Sequence, residues 1–296
     1  MGRTSLVVRL RDRFSLRLRG AFNAGDTAIR RVLARRATGP LQHLELHWKP
    51  VLLLLALLPV FALIMLDPVY IAGRSAWNPR VIEFGLGFHT FGKSGWYLWP
   101  AGIFLVCTAF VDWKSLRRRA LARLAACAQT AWFVLLALGS GEILSSTIKQ
   151  TIGRARPRLH DEHGLLAFQS WTMDSAWASF PSGHATTFGA LACVLALLFP
   201  RWKWFLLALA LWMASTRVIV GAHYPSDVMA GLIFGAWLAY AWAVWLARRR
   251  ILFKVDDEGR LRARWSLGVT ALRTAAGLRR RPRAALKPLP KRAVFA

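Results

Sequence analysis

Long apolar runs separated by short polar or basic loops restrict this chain more than any other feature. They lie at 50–66, 96–111, 124–144, 185–199, 202–220 and 228–246. A helix needs roughly 20 apolar residues to cross a bilayer, and no lipid-exposed backbone can leave its N–H and C=O groups unpaired. The shorter runs reach that length once flanking Trp, Tyr and snorkelling basic residues are counted. The pattern predicts an all-α, polytopic membrane protein with six transmembrane helices in a bundle, the first kinked at Pro59. That run begins too late for a cleavable signal peptide and reads as an uncleaved anchor.

Charge looks contradictory until its position is considered. The net charge is +27, with 41 Lys and Arg against 14 Asp and Glu, in a chain that is 55% hydrophobic. The basic residues gather at the two ends and in short loops, whereas a uniformly basic nucleic-acid binder would lack the apolar runs. No nucleic-acid partner is expected. Three segments follow: a basic N-terminal tail at 1–49, a membrane domain at 50–247 and a basic C-terminal tail at 248–296. Leucine and valine interleave with arginine in the first tail, so it is either an amphipathic helix on anionic lipid or a solvated tail that only sets orientation. The last tail, with Arg279 to Arg281 and Arg283, is expected to be loosely ordered and near anionic lipid. Both tails, the loop at Arg117 to Arg119 and the turn at Arg201 and Lys203 fall on one side, which the positive-inside rule makes cytoplasmic. Residues 149–158 are the basic exception on the other side, and charge placed against the bias asks for a function. Cys107, Cys127 and Cys193 lie within apolar stretches without a C-x-x-C pair and read as small core residues.

Three clusters share that non-cytoplasmic side. Phe180-Pro181-Ser182-Gly183-His184-Ala185 marks a helix entry, with Pro181 suited to the first helical position. Its free N–H groups and dipole favour a phosphate-like group, beside the titratable His184. Alone, the stretch is equally a helix cap with a chance histidine. Lys149 and Arg156 are seven residues apart in Lys149-Gln-Thr-Ile-Gly-Arg154-Ala-Arg156-Pro157, two turns along one helix face, and Pro157 should end the helix near Arg156. A point charge plus a planar fork suits phosphate oxygens, although a basic interfacial collar would have the same composition. Arg217 sits near a helix end, where its charge wants an anionic partner. Past it, Asp227 can reach back across a tight turn to accept a hydrogen bond from His223, leaving the other ring nitrogen as nucleophile or base.

Lys-x6-Arg-Pro, Pro-Ser-Gly-His and Arg-x5-His-x3-Asp, in this order over helix ends, resemble the type 2 phosphatidic acid phosphatase superfamily, whose relatives include bacterial lipid phosphate phosphatases and vanadium-dependent haloperoxidases. The likeness is dense from Lys149 to Asp227, and Thr216 stands where the family usually has Ser. The resemblance implies that Lys149, Arg156, Arg217, Ser182 and the Gly183 N–H hold the phosphoryl oxygens. It makes His223 the nucleophile of a phosphohistidine intermediate, Asp227 its orienting carboxylate and His184 the acid and then the base.

The implied substrate is a lipid phosphate or diphosphate, of the undecaprenyl diphosphate, phosphatidic acid or phosphatidylglycerol phosphate type, at the periplasmic face of a bacterial inner membrane. Alternatives are a lipid A phosphatase, a lipid phosphotransferase using the same site, and a non-catalytic anion-binding or transport protein. No metal or cofactor is expected, because Asp161, Glu162 and Asp174 form no octahedral pattern. His89 with Lys93 is a candidate for the rim, Glu142 either pairs within the bundle or tunes Lys149 or is a structural polar residue, and His160 and His163 read as solvated loop rather than as shaping substrate entry.

Overall fold

The computed structural model describes residues 48–113, 115–256 and 260–264; the expectations for the N-terminal tail and for the end of the C-terminal tail concern residues outside these. Among the described residues seven helices of nine or more residues carry the fold: α1 (Trp48–Gly73), α2 (Pro79–Gly87), α3 (Gly95–Ala109), α4 (Arg118–Ile152), α5 (Gly183–Leu198), α6 (Lys203–Ile219) and α7 (Pro225–Arg248). Six of them coincide with the apolar runs, and α2 lies in the connection between the first two. By length and composition α1, α4 and α7 can each cross a membrane, while α3 and α5 are shorter apolar helices. Large apolar side chains stand exposed on α1 (Leu53, Leu57, Phe61), α3 (Trp99, Ile103) and α6 (Trp204, Leu211). Surface of this kind belongs in lipid.

The centre of the bundle is the α5–α7 pair, with α4 and α6 against α5 and α1 against α7. The pair can approach backbone to backbone because glycines face carbonyls. A Cβ at Gly189 would lie 2.1 Å from the Leu232 oxygen, and one at Gly235 would lie 2.0 Å from the Thr186 oxygen. Small residues at a crossing are how membrane helices gain packing contact, since lipid offers no hydrophobic drive between them.

Two expectations about helix ends are corrected. Helix α4 stops at Ile152, not near Arg156, because Gly153 takes the left-handed conformation (φ 61°) and returns its N–H to the Lys149 carbonyl at 2.8 Å. Lys149 therefore occupies the last turn and Arg156 lies beyond the helix in extended backbone, not two turns along the same face. Helix α5 starts at Gly183 with Ser182 as its N-cap, so Pro181 precedes the helix and does not open it.

The all-α expectation also needs one amendment. Residues beyond α7 form a hairpin of β1 (Phe253–Val255) and β2 (Leu261–Ala263), antiparallel, with Phe253 opposite Ala263. Leu252 and Phe253 are fully buried in the cluster that holds Phe133, Leu138 and Val194, and the Leu252 N–H donates to Gln129 Oε1 at 2.8 Å. The alternation of Phe253, Lys254 and Val255 is a period-two signal that the surrounding arginines obscure. All three cysteines are free; Cys193 is partly buried, but Cys107 is exposed on the outer side of α3, outside any core.

Candidate active site

The site is assembled where the N-termini of α5 and α7, the C-termini of α4 and α6 and the connection before α3 meet. A cavity of about 300 Å³ there is lined by Lys149, Arg156, Gly183, His184, Arg217 and His223, together with His89, Lys93 and Glu142 from its rim. Six of the eight residues singled out from the sequence thus share one cavity. Ser182 and Asp227 do not line it; both are fully buried behind its wall. The Ser182 hydroxyl faces the Ala185 N–H at 3.4 Å, as a helix cap, and not the cavity.

Each cation arrives by a different route. Lys149 reaches the start of α5, where a Cβ on Gly183 would lie 2.8 Å from its Nζ. Arg156 is fixed by its backbone: the preceding segment 153–155 bonds on one side to 167–169, with Ala155 N–H to Ala167 at 2.9 Å. On its other side Arg156 N–H donates to Ala176 at 2.9 Å. Arg217 is buried in the last turn of α6, and its Nε and Nη1, like Arg156 Nε, find no acceptor among the described residues. Buried guanidinium donors without acceptors are costly unless an anion meets them. Glu142 adds the one carboxylate of the lining and accepts from Ser94 Oγ at 2.9 Å.

The histidines are held by carbonyls. His223 Nδ1 lies 2.8 Å from the Ser179 carbonyl oxygen, which can only accept, so Nδ1 carries the proton and Nε2 keeps its lone pair. This corrects the expected direct bond to Asp227, whose Oδ2 is 3.9 Å from Nδ1. The carboxylate instead binds the frame around the histidine: Oδ2 accepts from Ser179 Oγ at 2.6 Å and from the Tyr224 N–H at 3.0 Å, and Oδ1 accepts from Arg154 Nη1 at 2.6 Å. Burial, and then the positive charges of Arg156, Lys149 and Arg217, hold the His223 imidazole well below its usual pKa. It is a neutral base among cations.

His184 Nε2 sits 3.1 Å from the His89 carbonyl, and the two rings lie 4.9 Å apart. Gly92 closes over the same ring, since a Cβ there would be 2.1 Å from His184 Cδ2. The segment before α3 therefore forms one side of the His184 slot.

Behind the cavity is a buried ionic cluster that sequence reading passed over. Arg154 bridges Asp227 and Asp67, with Nη2 to Asp67 Oδ2 at 2.9 Å, and its guanidinium stacks 4.2 Å over the Tyr224 ring. Asp67 also accepts from the Ser226 N–H at 3.0 Å and from Ser226 Oγ at 2.5 Å. A signal for Asp67 existed: an acid inside an apolar helix is expensive and marks a functional or paired site. It falls one residue past the first apolar run, as that run was bounded. Ser179 carries no such signal.

The loop 157–164 stands aside from the cavity. Asp161 pairs with Arg74 Nη2 at 2.7 Å, tying that loop to the end of α1, and His163 lies at the surface against Trp177. Among the described residues no group of three or more His, Cys, Asp or Glu is placed to hold a metal ion.

Comparison with known proteins points the same way as this geometry. The family model described as the PAP2 superfamily matches residues 130–251. A lipid A 1-phosphatase from Rhizobium johnstonii is 35% identical over 232 residues, covering 78% of this chain and 91% of that protein. One from Rhizobium etli is 35% identical over 216 residues, covering 72% and 91%. Among solved structures, a PAP2-type phosphatidylglycerolphosphate phosphatase from Bacillus subtilis covers 64% of this chain and 92% of its own, at 22% identity and a TM-score of 0.42. The family match runs through His184 and His223 and through Lys149, Arg156 and Arg217, and the relatives align over nearly their whole length, so the chain belongs to the PAP2 superfamily.

Proposed function

We propose that this protein hydrolyses the phosphate ester of a membrane lipid, with a lipid A 1-phosphate as the leading substrate, through a phosphohistidine at His223. The observation that carries the reading is the convergence of two carbonyl-held histidines with Lys149, Arg156 and Arg217, where Arg156 Nε and Arg217 Nε and Nη1 are buried without an acceptor among the described residues. Binding an anion needs only the cations. A neutral imidazole with a free Nε2 and a second histidine beside it is machinery for transfer.

Phosphoryl transfer asks for positioning and for charge stabilisation at the equatorial oxygens. Lys149, Arg156, Arg217 and the N-terminus of α5 supply it, with Ser182 contributing as the cap of that helix. His223 Nε2 attacks phosphorus as the ester P–O bond breaks, and His184, an imidazolium once the anionic phosphate is bound beside it, gives a proton to the leaving oxygen and becomes neutral. Water then attacks the phosphohistidine, His184 takes the water proton, and phosphate leaves with His223 neutral again. Asp227 holds Ser179 and the turn at Tyr224, and so holds His223. None of these steps uses a metal.

A lipid substrate is supported by an apolar groove of about 360 Å³ lined by Phe88, Phe91, Phe188, Leu191 and Trp212. Phe88 and Phe91 flank His89 and Gly92, so an acyl chain there would leave its phosphate at the cavity. The relatives named as lipid A 1-phosphatases favour that headgroup over the diphosphates. In this reading six helices span a bacterial inner membrane, residues 50–247 form the phosphatase domain, both termini are cytoplasmic and the cavity opens to the periplasm. The basic tails meet anionic lipid.

The test is assay of detergent-purified protein against lipid A, phosphatidic acid, phosphatidylglycerol phosphate and undecaprenyl diphosphate, with and without chelator, beside His223→Ala and His184→Ala. Chelator-resistant phosphate release from lipid A, abolished in His223→Ala, is expected. Release that survives His223→Ala would overturn the mechanism, and phosphate appearing on a second lipid instead of in solution would make it a phosphotransferase.

A further inference from the structure

We propose that Asp67, on α1 and outside the residues matched by the family model, is a positioning residue for the reaction at His223, acting through Arg154 and Asp227. The proposal rests on the phosphatase reading above. A continuous set of buried bonds connects the two sites. Asp67 Oδ2 accepts from Arg154 Nη2 at 2.9 Å and Arg154 Nη1 donates to Asp227 Oδ1 at 2.6 Å. Asp227 Oδ2 accepts from Ser179 Oγ at 2.6 Å, and the carbonyl of Ser179 accepts from His223 Nδ1 at 2.8 Å. Ser226 braces the far end, bonding Asp67 through both its N–H and its hydroxyl while accepting from Arg154 Nη1 at 2.7 Å. Asp67 and Asp227 are both fully buried and Arg154 is 3% exposed, so solvent screens none of these charges.

Two consequences follow from Asp67 being charged there. One is geometric. A guanidinium with a single carboxylate partner turns its fork on it bidentately. Held by Asp67 on one side, Arg154 gives Asp227 a single nitrogen, and Asp227 keeps its second oxygen for Ser179 and Tyr224. The other is electrostatic. Asp67 and Arg154 offset one another, so the charge of Asp227 is not cancelled and stands behind His223 when the imidazole becomes positive in the phosphohistidine. Remove Asp67 and Arg154 cancels Asp227 instead. Neither effect touches Lys149, Arg156 or Arg217, which face the cavity. Loss of Asp67 should therefore slow the chemical step while leaving phosphate binding in place.

The variant is Asp67→Asn in the full-length protein, assayed on the lipid phosphate that the wild type hydrolyses best. The expected result is a kcat lowered about tenfold with KM within about twofold, and a matching fall in the single-turnover rate of phosphohistidine formation. A folded Asp67→Asn with wild-type kcat would overturn the proposal, as would a loss expressed in KM alone. Arg154→Lys is the second variant, because a lysine keeps the charge but cannot bridge two carboxylates with a fork. It should show the same split, and a folded Arg154→Lys with wild-type kcat also counts against the proposal. If neither variant accumulates as folded protein, the cluster serves stability and the positioning role is lost. Wild-type protein that releases phosphate from no lipid would instead sink the phosphatase reading.

Discussion

His223 is the residue whose surroundings say most about chemistry. Burial and three cations keep its imidazole neutral well below the usual range, so the nucleophile stays available as the medium is acidified. The acid limb of kcat/KM should therefore not fall at the pH of an ordinary histidine, and a pH–rate profile tests this directly. The same shift acts on stability with a definite sign. Below about pH 6.5 the unfolded chain protonates this histidine and the folded chain does not, so stability must fall as pH drops through that value. His89 is lowered too, first by burial and then by Arg217 and Lys93, and adds in the same direction. A melting temperature in detergent that rose on acidification from pH 7 to 5 would contradict this. His223→Ala should lower kcat by about 10³-fold or more. Gly92→Ala, which sets a methyl group 2.1 Å from the His184 ring, should lower kcat about tenfold with less effect on KM, because it moves the imidazole and leaves the cations alone.

At the scale of elements, the α5–α7 crossing and the terminal hairpin carry separate loads. Ala is a better helix former than Gly by about 1 kcal/mol, so Gly189→Ala would stabilise an isolated helix. Here the added methyl meets the Leu232 carbonyl at 2.1 Å, and backbone cannot yield as a side-chain tip can. Overpacking of this kind costs about 1–3 kcal/mol, so the collision should win and thermal stability should fall. The hairpin makes a second prediction. Phe253 is fully buried and meets the Phe133 ring edge to face at 5.1 Å, so Phe253→Ala should cost about 3–5 kcal/mol in an unfolding assay, although it lies far from the cavity. Both variants should keep the KM of whatever protein remains folded.

For the whole molecule the claim to test is orientation. The N-termini of α5 and α7 and the C-termini of α4 and α6 converge on the cavity, while the loop at Arg117 lies at the other end of α4. A thiol reagent confined to the periplasm should label a cysteine placed at His163 and spare one placed at Arg119. The reverse pattern would turn the protein over and remove its access to a periplasmic lipid. Exposed leucines and tryptophans on α1, α3 and α6 give the lipid-facing girdle against which such labelling is read.

The amino-acid sequence alone determines the apolar helices, because span length and charge in loops are local properties of composition. It also determines the chemistry-bearing residue types, because Lys149, Arg156, His184, Arg217 and His223 stand next to helix ends marked by Gly and Pro. What depended on packing was legible only in three dimensions. The left-handed Gly153 ended α4 four residues early and sent Arg154 inward while Arg156 faced the cavity. Asp227 was claimed by Ser179, Tyr224 and Arg154, so a carbonyl and not the carboxylate accepts the hydrogen bond from His223 Nδ1. The partner that makes this arrangement affordable, Asp67, lies 160 residues away in the chain (227 minus 67). A buried charge chooses its partners by distance in space, and that distance exists only once α1 has packed against α7.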